Sequence, residues 1–369
     1  MPLYAITPLP VELVFSPAWW NKQTGITFDR DFFFHPARRV EDERKMEQHL
    51  YEKWGHYGLG LNHGVNRPEI GAVHLASGYL LSQMLGCQVD YHEKAPPSVS
   101  CLYSDSIETD PVKKAFESDA FKDFFQMQET LKTQYGYVTG DVNWSGILNL
   151  ALDIRGQDLF IDMAENPEES TAFFSELAGM IERFTNGLQS TTNSTSVSVN
   201  RTVLHFAQPI MLHSECSLTM VSEDMYKDYI LPYDLKWSSK NVPFGIHYCG
   251  KDPHRFAKAF AKISNLAFLD VGYGGDVKEL RSHLPGAFLN LRLSPVELTH
   301  CTAEEVKKTI FRLVQQSGDL RLTGLCCINI DNIVSDEIIN AIFEARNELL
   351  SAANLPIAFQ SHRSGIADR

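Results

Sequence analysis

Short β-rich runs alternate with amphipathic helices along most of this 369-residue chain, and that alternation constrains the fold more than any other feature. The runs read as strands are 99–103, 137–142, 203–212, 244–249, 266–271, 287–293, 322–328 and 357–360. Between them, apolar spacing predicts helices over 111–135, 167–189, 223–238, 253–263, 302–316 and 337–352. Such repeated alternation implies parallel strands joined by crossover helices. Eight units in about 270 residues match a (β/α)8 TIM barrel, so an α/β barrel is the expected fold class. A doubly wound open sheet competes, but no Gly-x-Gly-x-x-Gly follows any strand. The nearest approach, Gly272-Tyr273-Gly274-Gly275, has the wrong spacing and reads as a turn.

The best-signalled helix follows Thr302. Thr302 and Glu305 form a capping box, Val306, Ile310, Leu313 and Val314 make one apolar face, and Gly318 closes the element. Upstream of residue 95 the pattern reads as helical, with segments at 39–54 and 70–85, until Ala95-Pro96-Pro97 breaks the chain. The expected organisation is therefore a mainly helical N-terminal extension, 1–95, packed on a barrel formed by 96–369. The Ser/Thr/Asn tract at 190–198 lacks apolar anchors and reads as a surface connection.

Lys and Arg number 33 against 46 Asp and Glu, a formal net charge of -13. Phosphate neutralisation needs the opposite balance, so nucleic-acid binding is excluded. No run of eighteen apolar residues is present, and 1–15 has no basic stretch before an apolar one, so neither a membrane span nor a signal peptide is expected. Seven cysteines form an odd, scattered set, which points to a reducing, cytoplasmic setting where thiols pack, ligate or react.

The chemistry concentrates at His247-Tyr248-Cys249-Gly250, which ends an apolar run. Residues two apart on a strand share a face, so His247 and Cys249 aim together and Tyr248 aims away. At the C-terminal end of a barrel strand they face the mouth, where barrel active sites lie. An imidazole and a thiolate there suit Zn2+. A third soft ligand is available from the strand holding Cys326 and Cys327, of which alternation lets only one point inward. Three protein ligands would leave the fourth position open, as in a catalytic zinc site. Buried packing residues with no metal are the competing reading of the same three positions.

His-x-Cys-Gly at a strand end, with a lone Cys 77 positions after Cys249, resembles the zinc motif of the cobalamin-dependent methyltransferases of the uroporphyrinogen decarboxylase superfamily. That likeness selects Cys326, giving His247, Cys249 and Cys326 as implied metal ligands. Gly140-Asp141-Val142-Asn143-Trp144-Ser145-Gly146, then Arg155-Gly156-Gln157-Asp158 and Asn166-Pro167-Glu168, resemble the superfamily's second-strand region. The stretch from Ser222 to Tyr233 resembles its helix after the third strand, and the similarity spans roughly residues 135 to 360. In the decarboxylases themselves two arginines around an N-terminal Gln-Ala-Gly hold a tetrapyrrole's carboxylates; here Lys22 and Ile26 stand in their places. Losing both guanidinium forks argues against that substrate.

The resemblance implies transfer of a methyl group between a corrinoid (cobalamin), carried by a partner protein or free, and a zinc-activated small thiol or similar acceptor. A homodimer is compatible with it. Glu215 is the candidate fourth ligand or displaceable carboxylate, and Glu215, Asp141 and Asn143 are the candidate catalytic residues. Asp270, Asn290 and Arg292 are expected to contribute to the pocket, whereas His205 and His213 read as satisfied barrel histidines. Two other functions fit the fold: a metal-free carboxy-lyase acting on a smaller carboxylated substrate, and a non-catalytic corrinoid- or tetrapyrrole-binding barrel.

Overall fold

The computed structural model describes residues 3–64, 79–102, 107, 110–135, 144–192, 202–240 and 242–357. The strands are β1 (Val11–Phe15), β2 (Gln88–Asp90), β3 (Ser98–Ser100), β4 (Met211–Ser214), β5 (Phe244–His247), β6 (Leu266–Val271), β7 (Phe288–Leu293) and β8 (Thr323–Ile330). Six of them form one all-parallel curled sheet in the order β1-β8-β7-β6-β5-β4, with helices packed outside. The expected α/β class with parallel strands and crossover helices is what the chain adopts. The predicted strand at 137–142 lies outside the described residues.

Alternation along the strands builds two inner layers. Register pairs Leu212 with Gly245, Gly245 with Phe268 and Phe268 with Phe288, giving an apolar floor. Phe268 and Phe288 stack with centroids 5.6 Å apart, and Phe206 meets both edge-on. Two residues further along each strand, Ser214, His247, Asp270, Asn290 and Gly324 fall in register across the sheet. In β4, β5 and β6 this row falls at the C-terminal ends, with Ser214 and His247 last in their strands and Asp270 next to last, the functional end of such barrels. Outward-facing Ile246, Tyr248, Leu269, Leu289, Leu291, Leu325 and Cys327 instead join the large core beneath the helices.

Several boundaries differ from the sequence expectation. The stretch up to residue 95 contributes a strand: β1 pairs in parallel with β8, Val11 opposite Leu325 and Glu12 opposite Cys326. Its alternation Val11-Glu12-Leu13-Val14-Phe15 lasts only five residues beside long helical segments, too short to stand out. The described part of the run at 99–103 joins no strand of the parallel sheet; β3 pairs antiparallel with β2 across the Ala95-Pro96-Pro97 break, as a short connection permits. β4 begins only at Met211, because Thr202–His205 forms a 3-10 turn and Pro209 offers no N–H to a ladder. Likewise Pro232 divides the helix expected at 223–238 into Glu223–Tyr229 and Leu231–Ser238. Ile357 is not in a strand, and 358–360 lie outside the described residues, as does most of the tract at 190–198.

Candidate metal centre

His247 ends β5, and Cys249 follows two residues later in the turn that leads to Gly250. As the shared strand face requires, both side chains meet: His247 Nε2 lies 2.9 Å from Cys249 Sγ. Tyr248 points the other way, its hydroxyl donating to Asp252 Oδ1 at 2.8 Å and its ring against Phe256. The third donor is Cys216, whose Sγ lies 2.6 Å from Cys249 Sγ. The donor atoms of Cys216, His247 and Cys249 all lie within 4.8 Å of one another.

Sequence reasoning missed Cys216. It opens a 3-10 turn (Cys216–Met220) just after β4, and β4 and β5 are neighbours with Ser214 opposite His247. Glu215 N–H donates to His247 O at 3.0 Å, continuing the ladder one step past the strand and delivering the next side chain to the cluster. Its signal was present but faint: a cysteine two residues beyond the last residue of the strand adjoining His-x-Cys.

Neighbouring strands surround the cluster with charge. His247 Nδ1–H donates to Asp270 Oδ2 at 2.5 Å, and Asn290 Nδ2 donates to Asp270 Oδ1 at 3.0 Å. Cys326 Sγ donates to that same oxygen at 3.6 Å. Thus Cys326 points inward and Cys327 outward, but Cys326 is not one of the three donors within 4.8 Å. Arg292, opposite Cys326 in the β7–β8 register, interacts electrostatically with Cys249 and Asp270.

Burial disfavours charge on His247, yet Cys249 and Asp270 outweigh it and raise its pKa to about 9. Cys249 is held well below the ordinary thiol range by the Cys216 S–H, against burial, with His247 and Arg292 adding to the effect. Cys216 moves the opposite way, raised by that same bond to Cys249 and by burial. Burial also raises Cys326, while Asp270, despite burial, is kept below the carboxylate range by His247 and Arg292. These shifts favour charge on Cys249 and His247 and keep the proton on Cys216.

Glu215 is turned away from the three donors. Its Oε1 accepts from the Leu148 N–H and stands beside His213 Nε2, each at 3.0 Å, while among the described residues its buried Oε2 has no hydrogen-bond partner. His213 is satisfied on both sides, since its Nδ1 donates to Asp234 Oδ1 at 2.7 Å and its ring stacks on Trp144. His205 lies 3.4 Å from Glu12 Oε2. Asp141 and Asn143 lie outside the described residues.

Two thiols, an imidazole and a carboxylate on the outer nitrogen of that imidazole are the donor chemistry of a zinc site with its orienting partner. The donor set fits the metal.

No protein-family model matches this chain. No curated protein matches it either. Among solved structures, it is similar to a methyltransferase from Methanosarcina mazei, with 13% identity, a TM-score of 0.62, and coverage of 94% of this chain and 95% of that one. A B12-independent methionine synthase from Shewanella sp. W3-18-1, in complex with selenomethionine, aligns more loosely at 12% identity. Its TM-score is 0.45, with 95% of this chain and 99% of that chain covered. The resemblance read from the sequence motifs holds at the level of the fold, which this chain shares over nearly its whole length with the Methanosarcina methyltransferase.

Proposed function

We propose that this chain is a zinc-dependent methyltransferase that moves a methyl group between a corrinoid, supplied by a partner protein or as free cobalamin, and a small thiol or similar acceptor. The observation that carries the reading is the meeting of His247 Nε2 and Cys249 Sγ at the C-terminal end of β5, backed by Asp270. A similar fold in a solved methyltransferase supports the same reaction class. His247, Cys249 and Cys326 are the proposed metal ligands. Zinc bound there would hold an acceptor thiol as its unprotonated nucleophile.

The chain's own residues do the rest. Asp270 fixes the His247 tautomer and directs Nε2 at the cluster. Arg292 places a buried positive charge beside the thiolates and keeps their summed charge from repelling an incoming thiolate. Glu215, held by the Leu148 N–H beside His213, is proposed as a catalytic residue acting through its second carboxylate oxygen. Asp141 and Asn143 are proposed, from sequence alone, to complete the pocket. The odd, scattered set of seven cysteines supports a cytoplasmic setting; among the described residues no helix is long and apolar enough to cross a membrane.

Elemental analysis of untagged protein tests it, with wild type beside Cys249→Ser and Cys326→Ser. About one zinc per chain in wild type, lost in both variants together with methyl transfer from methylcobalamin to a small thiol, is the expected result. No zinc after reconstitution, or transfer retained by a zinc-free variant, overturns it.

A further inference from the structure

Resting on that reading, we propose that Cys216 is a protein-borne placeholder for the acceptor thiol: its sulfur takes the coordination position beside Cys249, and an acceptor enters only by exchange with it. Cys216 is the sulfur that shares the tight group with His247 and Cys249. Its position is built into the fold. Glu215 N–H is tied to His247 O, and Ser217 N–H donates to Asn149 Oδ1 at 2.8 Å, so the backbone is clamped on both sides. Asn149 Nδ2 also holds Ser214 O at 3.1 Å. Only the Cys216 side-chain torsion is left to carry the sulfur in or out.

Exposure agrees with the assignment. Cys216 and Cys249 are intermediate in exposure as residues, whereas Cys326 is fully buried, so Cys216 lies on the more accessible side of the cluster. With Cys326 as third ligand, Cys216 completes four protein donors, and the site is closed at rest. Exchange balances without help from solvent. The acceptor's S–H bond breaks, its proton passes to the departing Cys216 sulfur, and one new S–H bond forms. An open site holding water would instead release that proton to solvent.

The experiment uses full-length protein loaded with Co2+, whose thiolate charge-transfer absorption reports the number of sulfur ligands. Wild type, Cys216→Ser and Cys216→Ala are compared before and after addition of 2-mercaptoethanol in weak buffer with a pH indicator. Expected is retention of metal in the variants, loss of roughly one thiolate's share of the absorption, and its return on adding the thiol with release of about one proton. Wild type should bind the thiol with neither gain of absorption nor proton release. An independent readout needs no variant: metal loading should protect Cys216 from iodoacetamide, mapped by peptide mass, and 2-mercaptoethanol should unmask it.

Metal-bound variants with the wild-type spectrum, or alkylation of Cys216 unaffected by metal, overturn the placeholder alone. Wild type that takes up neither Zn2+ nor Co2+ overturns it together with the zinc reading beneath it.

Discussion

His213 illustrates how much a single buried residue carries here. Its imidazole sits wholly out of water between Asp234 and Glu215, with Tyr226 donating to the far oxygen of Asp234 at 2.6 Å. Burial opposes its charge, but the two carboxylates prevail and raise its pKa to about 9, above the 6.5 of an ordinary histidine. A folded-state value above the unfolded one stabilises the native state fully below pH 6.5, and that contribution disappears as pH rises through about 9. His213→Gln should therefore flatten the dependence of unfolding free energy on pH between those limits, by up to about 1.4 kcal/mol per pH unit. Because His247 titrates in both proteins, the difference between their urea midpoints across this range isolates His213. Parallel curves for the two proteins would mean that His213 is not charged in the native state. At this scale the sequence was partly legible. Period-two alternation alone places His247 with Cys249, turns Tyr248 away and separates Cys326 from Cys327. The same rule is silent on Cys216, which lies beyond its strand where no period operates, and on the carboxylate of Glu215, whose direction is decided by a helix start at Ile147–Arg155 far away in sequence.

Among the elements, those carrying local signals formed as expected. The helix Ala303–Ser317 has its capping box between Thr302 and Glu305, and Gly318 closes it at a positive φ of 86°. β6 spans Leu266–Val271, as its apolar run predicts. Elements whose limits depend on partners were less legible, β1 most of all, since its strand character comes from pairing with β8 over three hundred residues away. The turn after β6 shows how elements constrain the site. A Cβ at Gly272 would fall 1.8 Å from the carbonyl oxygen of Gly250 and 3.0 Å from the Cys249 carbonyl carbon. Backbone cannot yield there without dragging the Cys249 turn with it. Gly272→Ala should thus cut metal affinity at least tenfold, a loss of about 1.4 kcal/mol, while far-UV circular dichroism stays at the wild-type level. Unchanged affinity would show that the β5 and β6 turns move independently.

For the whole molecule, described segments before residue 95 are tied into the parallel sheet and its last helix. β1 takes the edge of β8, and Arg346 in the last helix donates to Leu9 O at 3.0 Å. Trp54 donates to Asn340 at 3.1 Å, Lys53 pairs with Asp336 at 2.8 Å, and Tyr57 stacks on Phe343. Phe15, Trp19, Trp20 and Trp54 form one aromatic cluster between these segments. Truncating a buried aromatic side chain costs roughly 3–5 kcal/mol, and a whole domain is stable by only about 5–15 kcal/mol. Deleting the segment removes four such anchors at once and leaves the polar backbone of β8 as an open edge. A fragment of residues 96–369 should therefore aggregate or melt without a cooperative transition, and co-expression with residues 1–95 should restore a soluble complex that melts cooperatively. Calorimetry on the fragment decides the matter: a sharp transition near that of the full chain would mean that the sheet closes without β1, and that the parallel β1–β8 ladder is an accessory to the barrel.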